Sequence, residues 1–180
     1  MNSSLVRFIL IVPLIIILIC LIGLLFLMSS QNSAPEFELE ALGNSSYNRG
    51  DIVKLSQFEG HPVVINFWYP SCGSCVQEML DIETIFQNPK NQEIRFVSIQ
   101  LMSFLDSAED GQEFIDRYGI TYPVLLSPTD DLARSYGIKI PPYTVFLNNN
   151  HEIVKKWDGV LTSAKIEQIL SEFNLLTGSH

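Results

Sequence analysis

Apolar and polar positions along the chain change period several times, and each change marks an element. Phe8 to Met28 is an unbroken run of 21 uncharged residues dominated by Ile and Leu. As a helix it covers about 32 Å, the hydrocarbon thickness of a bilayer. Glu36 to Glu40 alternates polar and apolar residues, and Asp51 to Leu55 does so loosely. Gly43-Asn44-Ser45-Ser46 between them supplies turn residues, so the pattern predicts an N-terminal β-hairpin. Gly60-His61-Pro62 then breaks the chain before a continuous apolar run, Val63 to Trp68. A run of this kind suits a central strand covered on both faces.

From Cys72 to about Gln87 the spacing is helical, with Met79, Ile82 and Phe86 on the core side, and Asn88-Pro89 ends it. Ile94–Ile99 reads as a second strand. Ala108–Tyr118 reads as a helix with Phe114, Ile115 and Tyr118 inward and Gly119 as its stop. Tyr122–Leu126 is a short strand, and Asp130–Tyr136 a short helix closed by Gly137. The double proline Pro141-Pro142 leads into a strand ending at Leu147. Asn148-Asn149-Asn150 turns the chain into a paired strand, Glu152–Trp157, and Thr162–Phe173 is an amphipathic closing helix. Strands alternating with helices, then a terminal hairpin and helix, predict an α/β fold whose mixed sheet is covered on both faces.

The organisation expected from this pattern is a short N-terminus (1–7), a transmembrane signal anchor (8–28), a polar linker (29–33), one folded domain (34–176) and a tail (177–180). Arg7 and the α-amino group flank the apolar run on one side, with no basic residue close on the other. The positive-inside rule therefore puts residues 1–7 in the cytoplasm and the domain outside, in a periplasm or on the outer face of the membrane. The run exceeds the roughly 7–15 apolar residues of a cleaved signal peptide. Cys20 lacks the small residues that precede a lipid-modified cysteine and reads as a residue facing lipid.

Charge narrows the partners. Every one of the 20 acidic residues, but only ten of the 11 basic ones, lies beyond Ser33, so the domain carries a net −10. That balance argues against nucleic acid and against anionic headgroups as ligands, leaving contact with the bilayer to residues 8–28.

The candidate chemistry lies in Cys72-Gly73-Ser74-Cys75, placed between the buried strand and a helix. On the first turn of a helix the two sulfurs are close enough to bond. Cys72 sits at the exposed end, where free N–H groups and the helix dipole favour the thiolate that attacks a disulfide. A structural zinc site needs about two more ligands. Cys20 lies in the apolar run and His61, His151 and His180 show no paired spacing, so no metal is expected. A purely structural disulfide closing so short a loop constrains the unfolded chain little. The reading is redox chemistry without a bound cofactor.

The ordered set Ala34-Pro35-Glu36-Phe37-Glu38-Leu39, Leu55 to Trp68, Cys72-Gly73-Ser74-Cys75, Tyr118 to Val124, Tyr136-Gly137-Ile138 and Pro142 at a strand start is similar to the thioredoxin fold. More narrowly, it resembles the membrane-anchored TlpA-like/ResA-like thiol–disulfide oxidoreductases. The resemblance runs from Ala34 to about Leu176, with the Ile94–Leu126 region as the family's central insertion. It implies that Cys72 attacks and Cys75 resolves, that Pro142 is a cis-proline beside them, and that Pro141 offers its backbone to a bound peptide. It implies that Glu78 is a partly buried carboxylate relaying the proton of Cys75. Client contact falls to Trp68, Tyr69, Ser71, Gly73, Ser74, Pro141 and Tyr143. The implied partners are client disulfides, such as the haem-attachment cysteines of an apocytochrome c or a copper-site assembly protein, and a membrane thiol electron donor.

Three positions depart from the family's pattern. Ser71 stands where most relatives have tryptophan, Gly73-Ser74 where thioredoxins have Gly-Pro, and Asn66 where thioredoxins have a buried aspartate. Other readings stay open at this point: an oxidant making disulfides in exported proteins, or a Cu(I)-binding metallochaperone. A peroxide-reducing enzyme needs a Pro-x-x-x-Thr/Ser-x-x-Cys setting, and Pro70 is only two residues before Cys72.

Overall fold

Val63–Trp68, apolar but for Asn66, forms a strand buried along its whole length (β3), and the rest of the domain assembles around it. The computed structural model describes residues 12–13, 15–23 and 32–176. The chain divides into two compact units, Met1–Ser33 and Ala34–His180. In the first, residues 12–13 and 15–23 are helical and exposed. Among the described residues no helix is long and apolar enough to cross a membrane. The rest of the expected 8–28 anchor, residues 1–7 and the tail 177–180 lie outside the described residues.

The second unit is a seven-stranded mixed sheet. Its strands are β1 (Glu38–Ala41), β2 (Ile52–Lys54), β3, β4 (Arg95–Leu101), β5 (Val124–Ser127), β6 (Tyr143–Leu147) and β7 (Ile153–Asp158), in the order β2-β1-β5-β4-β3-β6-β7. β3, β4 and β5 run parallel, joined through the helices α1 (Gly73–Phe86) and α2 (Ala108–Tyr118). The expected N-terminal hairpin is β1 and β2, and it pairs antiparallel onto the edge of β5. α3 (Asp131–Ser135) and α4 (Ser163–Glu172) complete the layers.

Alternation along the central strands splits the core in two. On one face Val64, Trp68, Phe96 and Phe146 pack with Met79 and Ile82 of α1, Phe114 and Ile115 of α2 and Ile166, Ile169 and Leu170 of α4. On the other, Val63, Ile65, Phe67, Val97, Ile99 and Val145 pack with Phe37, Phe58, Ala133 and Tyr136.

Ser107 caps α2 through a reciprocal box with Asp110, and Gly119 ends it at φ 64°, a left-handed conformation that glycine adopts without a Cβ penalty. Gly111 brings α2 down onto β4, since a Cβ there would lie 1.7 Å from Oε1 of Gln100. Two local expectations change. Tyr118, at the last turn of α2, is 37% exposed rather than inward, and Leu55, taken as the end of the hairpin's second strand, instead begins a 3₁₀ turn, Leu55–Phe58, that buries Leu55 and Phe58.

Candidate active site

Cys72 is the N-cap of α1, and its Sγ accepts the backbone N–H of Cys75 at 3.2 Å. The two sulfurs are bonded at 2.07 Å, with Cα atoms 5.3 Å apart. Their environments differ. Cys72 is partly exposed and sits at the positive end of the helix dipole, with Ser74 Oγ at 3.4 Å, whereas Cys75 is fully buried. One sulfur faces an incoming partner and the other is held back. That asymmetry lets a single dithiol divide attack from resolution.

The lead-in is tied from a distant loop. Ser71 donates its backbone N–H to Asp106 Oδ1 at 2.7 Å and its hydroxyl to Oδ2 at 2.9 Å; Ser103 donates to the same Oδ2 at 2.6 Å. Asp106 is itself buried. Its neighbours Phe104 and Leu105 are 96% and 66% exposed, and Ile140, just before the double proline, is 72% exposed. A cavity of about 240 Å³ runs between Pro70–Ser71 and Leu105, Phe114 and Arg117. Sequence reasoning did not find these apolar residues. The signal of Phe104 and Leu105 was an apolar pair between Ser103 and Asp106 in a loop.

The Pro141–Pro142 peptide bond is cis, Pro142 is buried and Pro141 is partly exposed at the mouth of β6. Gly73 and Ser74 are exposed, as is Ser71, and Tyr69 and Tyr143 are half-buried. Burial, with Asp130 and Asp106 adding repulsion, raises the Tyr69 phenol above its usual range. Trp68 departs from the expected client surface. It is fully buried against Phe114, ring centroids 4.7 Å apart, because it closes the apolar run of a strand covered on both faces. It supports the site from beneath and presents no surface to solvent.

Glu78 follows Cys75 by three residues on the same face of α1 and is fully buried. Its Oε1 accepts the Thr144 hydroxyl at 2.6 Å, and its Oε2 has no hydrogen-bond partner among the described residues. Burial pushes the carboxyl up to about 7. Thr144 and the backbone of Leu161 work against that shift and Asp81 adds to it; Leu161 lies near enough to favour the charge but short of hydrogen-bond geometry. Asp81 accepts the backbone N–H of Ser163 at 3.1 Å and also its hydroxyl, fastening the start of α4 to α1.

Behind Glu78 lies a row of polar side chains. Asn66 Nδ2 donates to Thr144 Oγ1 at 3.2 Å, Ser98 Oγ donates to Asn66 Oδ1 at 3.1 Å, and the Ser98 and Tyr122 hydroxyls are 3.1 Å apart. All are buried. The row follows from strand pairing, in which Thr144 faces Asn66 and Asn66 faces Ser98. Among the described residues no cluster of three His, Cys, Asp or Glu side chains is placed to hold a metal.

Residues 31–157 match the AhpC/TSA family. The chain is similar to thiol-disulfide oxidoreductase ResA of Oceanobacillus iheyensis, 30% identical over 146 residues that cover 78% of this chain and 71% of that protein. It is also similar to ResA of Halalkalibacterium halodurans, 29% identical over 76% of this chain and 73% of that one. Among solved structures, a putative thiol:disulfide interchange protein DsbE from Chlorobium tepidum superposes with a TM-score of 0.69 at 22% identity, covering 81% of this chain and 96% of that one.

Proposed function

The chain belongs to the AhpC/TSA family, and on that premise we propose that this thioredoxin-like thiol–disulfide oxidoreductase of the ResA and DsbE kind reduces client disulfides through Cys72 and Cys75 outside the cytoplasm, tethered to the membrane by residues 8–28. The observation that carries the reading is the unequal pair at the head of α1: an accessible Cys72 at the helix N-terminus and a buried Cys75 above a buried carboxyl.

In the reduced protein the Cys72 thiolate attacks one sulfur of the client disulfide. A mixed disulfide forms, and the first client sulfur leaves as a thiolate. Cys75 then gives its proton to Glu78, attacks Cys72 Sγ and expels the second client sulfur. Two electrons pass from the dithiol to the client, the Cys72–Cys75 bond closes, and the proton leaves Glu78 for a client thiolate. A membrane thiol donor returns two electrons, since the compartment outside is oxidising. Clients lie against Ser71, Gly73 and Ser74 and the backbone of Pro141, with Tyr69 and Tyr143 at the rim and Phe104, Leu105 and Ile140 adding apolar contact. The haem-attachment cysteines of an apocytochrome c are the client that the family resemblance supplies. A peroxidase reading finds no support in the lead-in, where Pro70 is two residues before Cys72.

The test is the reduction potential of the full-length protein, equilibrated with defined thiol buffers, with Cys72→Ala as the control that cannot cycle. A value below about −230 mV is expected of a reductant fed by a membrane donor. A value between about −120 and −150 mV would reject that direction and make the protein an oxidant. Stoichiometric copper in reduced protein that forms no reversible disulfide would point to a metallochaperone.

A further inference from the structure

Glu78 is the end of a chain of hydrogen bonds whose direction follows from proton counts once the Asn66 amide is oriented with its N–H toward Thr144 and its Oδ1 toward Ser98. Ser98 has one hydroxyl proton, and Asn66 Oδ1 can only accept, so that proton lies in the 3.1 Å contact with Asn66. The 3.1 Å contact between Ser98 and Tyr122 therefore carries the phenol proton, with Tyr122 donating. Asn66 is left presenting an N–H to Thr144, whose single proton is then free for Glu78 Oε1. Every donor from Tyr122 onward points the same way. Burial holds the Tyr122 phenol well above its usual range, with Glu83 and Glu78 adding to the effect, so it keeps its proton and remains a donor.

We infer that Tyr122, Ser98 and Asn66 are positioning residues that lock the Thr144 proton onto Oε1 of Glu78 and so reserve Oε2 as the oxygen that takes up and releases the proton of Cys75. A proton placed on Oε1 and donated to Thr144 would leave the Thr144 proton without an acceptor unless the Asn66 amide turned around inside a close-packed core, where all five side chains are buried. Oε2 has no hydrogen-bond partner to displace among the described residues. The groups facing Glu78 are Cys75 and Asp81 on α1, Thr144 from β6 and the backbone of Leu161 ahead of α4. Asp81 is already occupied by Ser163, and Tyr122 and Glu83 act from the far end of the row. The proposal deepens the reading of Glu78 as the proton carrier for Cys75 and rests on it.

The test is a carboxyl titration of the full-length oxidised protein carrying ¹³C-labelled glutamate, with the Glu78 signal assigned by its loss in Glu78→Gln. With the disulfide closed neither cysteine titrates, so the measurement reads the chain's hold on Glu78 whether or not Glu78 serves Cys75. Thr144→Val is expected to raise the Glu78 midpoint by about one unit, because the ionised form loses a donor. Thr144→Ser, which keeps the hydroxyl, returns it to the wild-type value. Tyr122→Phe removes one oxygen at the remote end and is expected to raise the midpoint by about 0.3 unit, with Ser98→Ala acting in the same direction. An unchanged or lowered midpoint in folded Tyr122→Phe overturns the proposal, and so does the same result in Ser98→Ala. The carrier reading fails separately, if Glu78→Gln leaves the rate at which Cys75 resolves a mixed disulfide unchanged.

Discussion

The two faces of the central sheet are made by the same three strands, yet they differ in polar content, most of all along one row. Beneath α3, Phe37 and Phe58, the side chains of Ile65, Phe67, Val97, Ile99 and Val145 are apolar without interruption. One residue along, under α1 and α4, Asn66, Ser98 and Thr144 cross the sheet as a buried polar seam that ends on Glu78. The first face has only packing to do. The second accepts the cost of burying polar groups in order to place a titratable carboxyl behind the cysteines, and hydrogen bonding keeps that cost low.

Four experiments sharpen the contrast, in order of decreasing effect on stability. Phe67→Ala, on the apolar face against Tyr136, should cost about 3–5 kcal/mol in urea unfolding while leaving the Glu78 titration where it was. A shifted Glu78 midpoint in that variant would mean the two faces are not independent.

Glu78→Gln should change the pH dependence of stability. The folded pKa, about 7, lies above the usual value of 4.5, so the folded protein binds the proton more tightly than the unfolded chain. The stability associated with this group is fully present below pH 4.5 and is lost as pH rises to about 7, a span worth about 3 kcal/mol. Glu78→Gln should flatten that decline, so its gain over wild type grows between pH 4.5 and 7. Parallel stability curves for the two proteins would contradict it.

Asn66→Leu breaks the middle of the seam and leaves Ser98 without its acceptor. We expect a loss of about 1–3 kcal/mol by the same unfolding assay. Phe104→Ser lies outside both faces. Its stability should stay within about 0.5 kcal/mol of wild type, while KM for a client disulfide rises several-fold and kcat holds. Unchanged KM would remove Phe104 from the client surface.

Much of the fold was legible because its signals are local. The unbroken run Val63–Trp68, the helical spacing after Cys72, the Gly119 stop of α2 and the turn residues between β1 and β2 each act within a few residues, and each element formed close to where the pattern put it. Trp68 misled as a client contact because chain proximity to Cys72 does not tell which side of a strand a residue faces. Phe104 and Leu105 went unnoticed because their loop reaches the cysteines through β3–β4 pairing and the bonds from Ser71 to Asp106, contacts between segments far apart in the chain.

By itself, then, the sequence determined the dithiol at a strand-to-helix junction, the order of strands and helices and the positions of most core residues. These rest on short-range periodicity, capping and turn chemistry. Only the tertiary structure decided that Glu78, Thr144, Asn66, Ser98 and Tyr122 form one connected row. Each lies in or beside an apolar stretch, and bonded partners are 66, 78, 32 and 24 residues apart along the chain. Strand register brings Asn66, Ser98 and Thr144 together, and that register is settled only when segments far apart in the chain pair.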